Sequence, residues 1–164
     1  MKQSLWVIAL LAVVLLQSCN KIPFNFPGHQ PPASNHLKIA VVSDIHYMHP
    51  SLLGQGASSG KAFLNYVNQD PKLVEFSDPI WRQVLAEIKT EKPDILLVPG
   101  DITKDGEKIG HQAMAAFFNQ LRSIGIKVLV VPGNHDINNA KAKKYIGDND
   151  YPVEMTTPAE FANI

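Results

Sequence analysis

Three short polar clusters hold the side chains most suited to chemistry, and each follows an apolar run. Val41-Val42-Ser43 leads into Asp44-Ile45-His46, Leu96-Leu97-Val98-Pro99 into Gly100-Asp101, and Leu129-Val130-Val131-Pro132 into Gly133-Asn134-His135-Asp136. Carboxylate oxygens, imidazole nitrogens and an amide oxygen are ligands for hard or borderline divalent cations. Asp44 and His46 stand two residues apart. On an extended backbone that spacing puts both side chains on one face, where a single ion can take an oxygen and a nitrogen together. An N-cap aspartate followed by a surface histidine would give the same pair. Gly100 permits a tight strand-to-loop turn and Asp101 could bridge two cations; a plain turn also reads Gly-Asp. Asn134 offers an amide oxygen, and His135 a proton or a positive charge beside a phosphate. An asparagine-rich turn, continued by Asn138-Asn139, is the alternative there.

The elements around these clusters decide whether they can meet. Leu37 to Ser43, Ile95 to Val98 and Lys127 to Val131 are apolar runs of strand length, as buried parallel strands require. Between the first two, Gly54, Gly56, Ser58, Ser59 and Gly60 suggest a mobile loop. Lys61 to Asp70 carries Phe63, Tyr66 and Val67 at helical spacing, and Pro71 ends it. Asp78-Pro79 predicts a helix start, with Asp78 as N-cap and Ile80, Trp81, Val84, Leu85 and Ile88 as the apolar face. A further helix is predicted from about Glu107 to Ile124, with Ala113, Phe117, Leu121 and Ile124 on one face and Gly125 as its left-handed cap. His111 on that helix is expected to be exposed or capping. Strand, helix, strand, helix, strand predicts right-handed crossovers and a parallel sheet, an α/β fold. Ligands at the carboxyl ends of neighbouring parallel strands then face one crevice. Near the end, Thr157-Pro158-Ala159-Glu160 is a capping box that opens another helix, with Phe161 and Ile164 starting its apolar face.

Together, in this order and each after a strand, the three clusters resemble those of the calcineurin-like metallophosphoesterase family. The resemblance covers roughly Leu37 to Asp136 and implies the parallel β-α-β-α-β half of a four-layer α/β/β/α sandwich. It implies that Asp44 and His46 bind a first metal, that Asp101 bridges both metals, and that Asn134 binds the second. His135 would be catalytic rather than a ligand, facing the phosphate. Asp136 would orient His135 or its loop. Two divalent or transition metal ions of the Mn, Fe or Zn type would neutralise the phosphate and activate a bridging water to attack phosphorus in line. Many relatives carry an acid three positions after the bridging aspartate, where it orients the catalytic histidine. Here that position is Lys104 with Asp105 one further on, so the role is not transferred. The family also supplies a further His and a Gly-His-x-His motif from its C-terminal half, whereas no histidine follows His135. Residues 37–164 are therefore expected to be the N-terminal part of a longer domain, and the catalytic reading belongs to the full-length parent.

The N-terminus adds a location. Lys2, the apolar run Leu5 to Leu16, and Leu16-Gln17-Ser18-Cys19 resemble a bacterial lipoprotein leader, with residues 1–18 cleaved and Cys19 lipidated. Residues 19–36, with Pro23, Pro27, Pro31 and Pro32, read as a tether. Lipidation would hold the protein to a membrane of the bacterial envelope without a spanning helix. With Cys19 the only cysteine, no intrachain disulfide is possible. The chain has 15 basic and 15 acidic residues, and losing Lys2 with the leader leaves one basic residue fewer. That balance argues against a nucleic-acid surface.

The function expected is metal-dependent hydrolysis of a phosphoester substrate: a monoester, a diester or a pyrophosphate. A non-catalytic envelope lipoprotein that keeps half of the metal site is the alternative. A nucleotide-binding α/β domain is disfavoured, because no glycine-rich phosphate loop follows the first strand. The stretch from Tyr47 to Phe76 would be either a lid over the metals or a structural elaboration. Tyr47 and His49, just beyond the first cluster, could touch substrate, but a loop role is expected of them.

Overall fold

The computed structural model describes residues 36–69 and 72–163. The leader, Cys19 and the tether up to residue 35 lie outside the described residues, as do Asp70, Pro71 and Ile164. Three strands, β1 (Ile39–Val41), β2 (Ile95–Pro99) and β3 (Lys127–Val131), pair in parallel in the order β1-β2-β3. Helix α1 (Lys61–Gln69) and helix α2 (Ser77–Glu91) lie between β1 and β2, and α3 (Lys108–Ser123) lies between β2 and β3. When each strand is added on the same side of the last, crossovers of one hand put their helices on one face of the sheet. Leu96, Val98 and Val128 point to that face and are buried against Trp81, Leu85 and Ile88 of α2 and Met114, Phe118 and Leu121 of α3. The alternate residues point the other way, and among them Ile39, Val41, Leu129 and Val131 are exposed. The sheet is therefore covered on one face and open and apolar on the other, as expected of one half of a sandwich.

Several expectations hold at the level of single residues. Gly125 takes a φ of +91° after α3, where a side chain would be strained. Thr157 and Glu160 form the reciprocal capping box of a one-turn helix, α4 (Pro158–Phe161). Its Phe161 meets the His111 ring edge-to-face at 5.4 Å.

Other expectations are corrected. Helix α2 begins at Ser77 rather than after an Asp78 cap, because a 3-10 turn at Val74–Phe76 runs straight into it. Freed from capping, Asp78 accepts hydrogen bonds from Tyr47 Oη at 2.8 Å and Arg82 Nε at 2.7 Å. Ile80 and Ile124 are exposed rather than on the buried faces. Tyr47 is not a loop residue in character. It is buried against Phe117, and burial, reinforced by its bond to Asp78, raises its phenol pKa.

The stretch from Tyr47 to Phe76 is a built structure and not a loose loop. It contains 3-10 turns at Pro50–Leu52 and Ala57–Ser59 as well as α1. It shares a second small core, of Met48, Leu52, Ala57, Phe63 and Val74, with Tyr145 of an antiparallel hairpin. That hairpin, β4 (Lys143–Ile146) and β5 (Asn149–Pro152), was not expected from the sequence.

Candidate metal centre

The three polar clusters meet at the carboxyl ends of β1, β2 and β3. Backbone pairing continues past the strand ends and fixes the loops to one another. His46 N donates to Asp101 O at 2.9 Å, Tyr47 N to Ile102 O at 2.9 Å, and Gly100 N to Val131 O at 2.9 Å. Asp44, His46 and Asp101 all have positive φ, at 54°, 44° and 45°. Such backbone is costly for residues with a Cβ, and it concentrates where side chains must be aimed. The segment that carries Asp44 and His46 is therefore not extended, as their spacing predicts, but coiled into left-handed turns.

Gly133 explains the third cluster's glycine. A Cβ there would lie 2.1 Å from Asp101 Oδ1 and 2.3 Å from Asp101 N. Only glycine lets the β3 loop come so close to Asp101. The approach brings His135 N to Asp101 Oδ1 at 3.0 Å.

His46, Asp101 and His135 each offer a ligand atom, and these atoms lie within 4.8 Å of one another. His46 Nε2 stands 3.7 Å from Asp101 Oδ2, too far for a hydrogen bond. Two metal–ligand bonds of about 2.1 Å meeting at a tetrahedral or trigonal angle span roughly 3.5 Å, so the gap suits a shared ion. Among the described residues His46 Nδ1 is buried without a hydrogen-bond partner, an arrangement that costs about 1–3 kcal/mol unless something compensates it. Burial, helped by Lys72, holds the His46 imidazole below its usual pKa against the opposing pull of Asp101 and Asp44. A neutral imidazole is the ligand form. Donor chemistry and spacing therefore fit a divalent cation.

Asp44 and Asn134 are exposed; Asp44 lines a cleft together with His46, and Asn134 immediately precedes His135 in the chain. Asp44 is outside the 4.8 Å set, yet close enough to act on the charge of His46.

His135 is held by groups that the sequence reading passed over. Its Nδ1 lies 2.8 Å from Lys104 O and 3.1 Å from Asp105 Oδ1. Both are acceptors, so Nδ1 carries the proton and Nε2 carries the free lone pair. Asp105 thus holds His135 from one position beyond the one where the sequence places Lys104. Lys104 is wholly buried, with its ammonium 2.7 Å from Asp105 Oδ2 and 2.7 Å from Glu107 Oε1. The second contact is close but off the hydrogen-bonding direction. The Lys104 ammonium also sits 4.6 Å from the centre of the Tyr66 ring. Burial opposes its charge, but Glu107 and Asp105 outweigh burial and leave the ammonium pKa raised.

Asp136 ties two site loops together. Fully buried, it accepts from Ile102 N, Thr103 N and Thr103 Oγ1 of the β2 loop and from Gly133 N of the β3 loop. Burial pushes its pKa up, but bonds from His111 and from the backbone of Gly133, Thr103 and Ile102 hold it at about 2. His111, expected to be exposed or capping, is buried between Asp136 and Thr156, at 3.2 and 2.7 Å. The structure thus gives Asp136 a loop-ordering role, as the sequence suggested.

Two clefts flank the cluster. His135 and Asp105 line one of about 610 Å³, and Asp44 and His46 line another of about 370 Å³.

Comparison with known proteins agrees with this geometry. A family model described as calcineurin-like phosphoesterase matches residues 37–163. A probable cyclic nucleotide phosphodiesterase from Vesicomyosocius okutanii subsp. Calyptogena okutanii (strain HA) is 34% identical over 58 residues. The match takes in 35% of this chain and 24% of that protein, so the chain spans about a quarter of the length of the curated relative it matches.

Proposed function

The chain belongs to the calcineurin-like phosphoesterase family, and we propose that the protein hydrolyses phosphoric esters at a centre of two divalent metal ions. The observation that carries this reading is the convergence of His46, Asp101 and His135 within 4.8 Å at the ends of three parallel strands. Asp44 and His46 would hold one ion and Asn134 the other, with Asp101 serving both. Ions of the Mn, Fe or Zn type bound there supply Lewis-acid charge for the phosphate and a more acidic water.

The chain's own residues do the rest. Asp101 is kept in place by its backbone pairing to His46 and by the N–H of His135. His135, with its Nδ1 proton directed at Lys104 O and Asp105, presents Nε2 to the phosphate. In its protonated form that nitrogen stabilises charge on the equatorial or leaving oxygen. Asp136 fixes the loops that carry Asp101 and His135 relative to one another.

Cys19, after Leu16-Gln17-Ser18, carries a lipid that tethers the protein to the bacterial envelope. Cys19→Ser should move the protein from the membrane to the soluble fraction, and unchanged fractionation would refute the anchor.

The enzyme reading is tested by metal content and by hydrolysis of bis-p-nitrophenyl phosphate. The wild type should bind metal and turn over the diester, and Asp44→Ala and Asn134→Ala should lose both. Retained turnover in either variant would overturn the ligand assignment. Metal without hydrolysis of any phosphoester would favour a non-catalytic lipoprotein.

A further inference from the structure

The 610 Å³ cleft beside His135 is built from parts that no metal chemistry requires. Its floor includes Asp105 and His135; one wall is α1, with Lys61, Asn65 and Gln69, and the other is the β4–β5 hairpin, with Lys141 just before it. The walls are fastened to each other. Lys61 N donates to Asp148 Oδ1 at 3.0 Å, Gly54 N to Tyr145 O at 2.8 Å, and Gly147 N to Gln55 O at 3.1 Å. At Gly60 a Cβ would lie 1.7 Å from Gly147 O, so the helix start and the hairpin turn are in direct backbone contact. A cleft with fixed walls is preorganised for a ligand, and this volume lies within the range of small-molecule sites.

The charges in the cleft are not equally occupied. Three carboxylates line it, and each already has a partner. Asp105 faces Lys104 and His135, Asp150 holds Lys143 Nζ at 2.9 Å, and Asp148 accepts from Lys61 N. The ammonium groups of Lys61 and Lys141 have no carboxylate partner among the described residues. Lys61 and Lys141 are therefore the ammonium groups left to meet a ligand, although Asp148 meets only a backbone N–H, and Asn65 and Gln69 beside them offer neutral amides of the kind that bond hydroxyls.

We propose that this cleft binds the part of the substrate beyond the scissile phosphate, and that this part carries a second phosphate on a hydroxyl-bearing body, with Lys61 and Lys141 as its counter-charges. The inference rests on the phosphoesterase reading for its catalytic half but not for its binding half. Ammonium groups on two walls can grip a dianion without competing for the ions at Asp101, because they stand on elements outside the three strand-end loops.

The test compares adenosine 3′,5′-bisphosphate with p-nitrophenyl phosphate in the wild type, Lys61→Met and Lys141→Met. Both lysines are exposed, so the variants should fold, and circular dichroism checks this. Each substitution should raise KM for the bisphosphate about tenfold with kcat little changed, the scale of one charge-assisted phosphate contact. Kinetics with p-nitrophenyl phosphate should stay within about twofold of the wild type. Calorimetric binding of the bisphosphate should weaken by the same factor in each variant. If the wild type binds the bisphosphate in a lysine-dependent way yet hydrolyses neither compound, the cleft stands and the phosphoesterase reading falls. If the wild type hydrolyses p-nitrophenyl phosphate but the variants bind and turn over the bisphosphate as it does, the cleft proposal is wrong. An equal loss on both substrates also overturns it, since the lysines would then act on the reaction centre or the fold.

Discussion

The ammonium of Lys104 lies 2.7 Å from Oδ2 of Asp105, shut away from solvent, while the other oxygen of the same carboxylate faces His135. A buried lysine is stable as a cation only with carboxylates against it, and here Glu107 is the second. The ion pair therefore does two things. It neutralises Asp105 inside the protein, and it turns that carboxylate so that one oxygen is left for the histidine.

Removing the acceptor should disturb the histidine without emptying the metal site. Asp105→Asn should lower kcat by about 10–100-fold, the usual cost of losing a group that orients a reactive histidine, with metal content unchanged. Lys104→Met should act differently, because it strands two buried carboxylates. A loss of about 3–5 kcal/mol of folding stability is expected, read by chemical denaturation. Equal effects of the two substitutions on stability would argue against this division of labour.

Gly133→Ala tests the close approach of two site loops. The added Cβ would sit 2.1 Å from Asp101 Oδ1 and 2.3 Å from Asp101 N, and a backbone atom cannot swing aside. The β3 loop must move, and both Asp101 and the His135 N–H bond move with it. Metal content should fall sharply in a protein that still folds. A variant with wild-type metal content would show that the loop can yield without loss of the site.

The legibility of this chain was uneven, for physical reasons. Buried parallel strands announce themselves as apolar runs, so Ile95–Pro99 and Lys127–Val131 were readable almost to the residue. The polar clusters after them were readable because loops leaving parallel strands must converge. The β4–β5 hairpin was not, since Tyr145 is its single buried residue and no alternation marks it. Gly147-Asp148 between two four-residue strands was the available signal, a two-residue turn. His111 was misjudged although it shares a helical stripe with Met114, Phe118 and Leu121, all buried. A histidine on a core face needs partners, and Asp136 and Thr156 are too distant in sequence to suggest themselves. Asp105 escaped because a one-residue offset cannot be resolved without the coiled backbone around Asp101.

Tyr47 and Asp78 should give the protein a specific alkaline sensitivity. Burial, and then the bond to Asp78, raise the Tyr47 pKa above its ordinary value near 10. A raised folded pKa means that the native state holds this proton more tightly than the unfolded chain. The stabilisation is fully present below about pH 10 and is lost as pH rises through the folded value. Denaturation curves from pH 8 upward should show the advantage of the wild type over Tyr47→Phe constant at first and shrinking above about pH 10. A difference that does not change with pH would place the contribution of Tyr47 in packing alone.

Metal binding should also be visible without any substrate. The cluster of His46, Asp101 and His135 exists only in the folded chain, so an ion bound there stabilises folding by mass action. Free ion at about a hundred times its dissociation constant contributes about 2.7 kcal/mol, enough to raise Tm by several degrees. Manganese or zinc added to chelator-treated protein should therefore raise Tm in the wild type. His46→Ala removes a ligand and also the unpaired buried Nδ1, so its Tm without metal should stay near that of the chelated wild type. Its Tm should then be insensitive to added ion. Asp101→Ala should likewise lose the response, but it also removes the acceptor of the His135 N–H and should start from a lower Tm. A metal response that survives both substitutions would mean that the ion binds elsewhere, and the centre proposed at these strand ends would have to be abandoned.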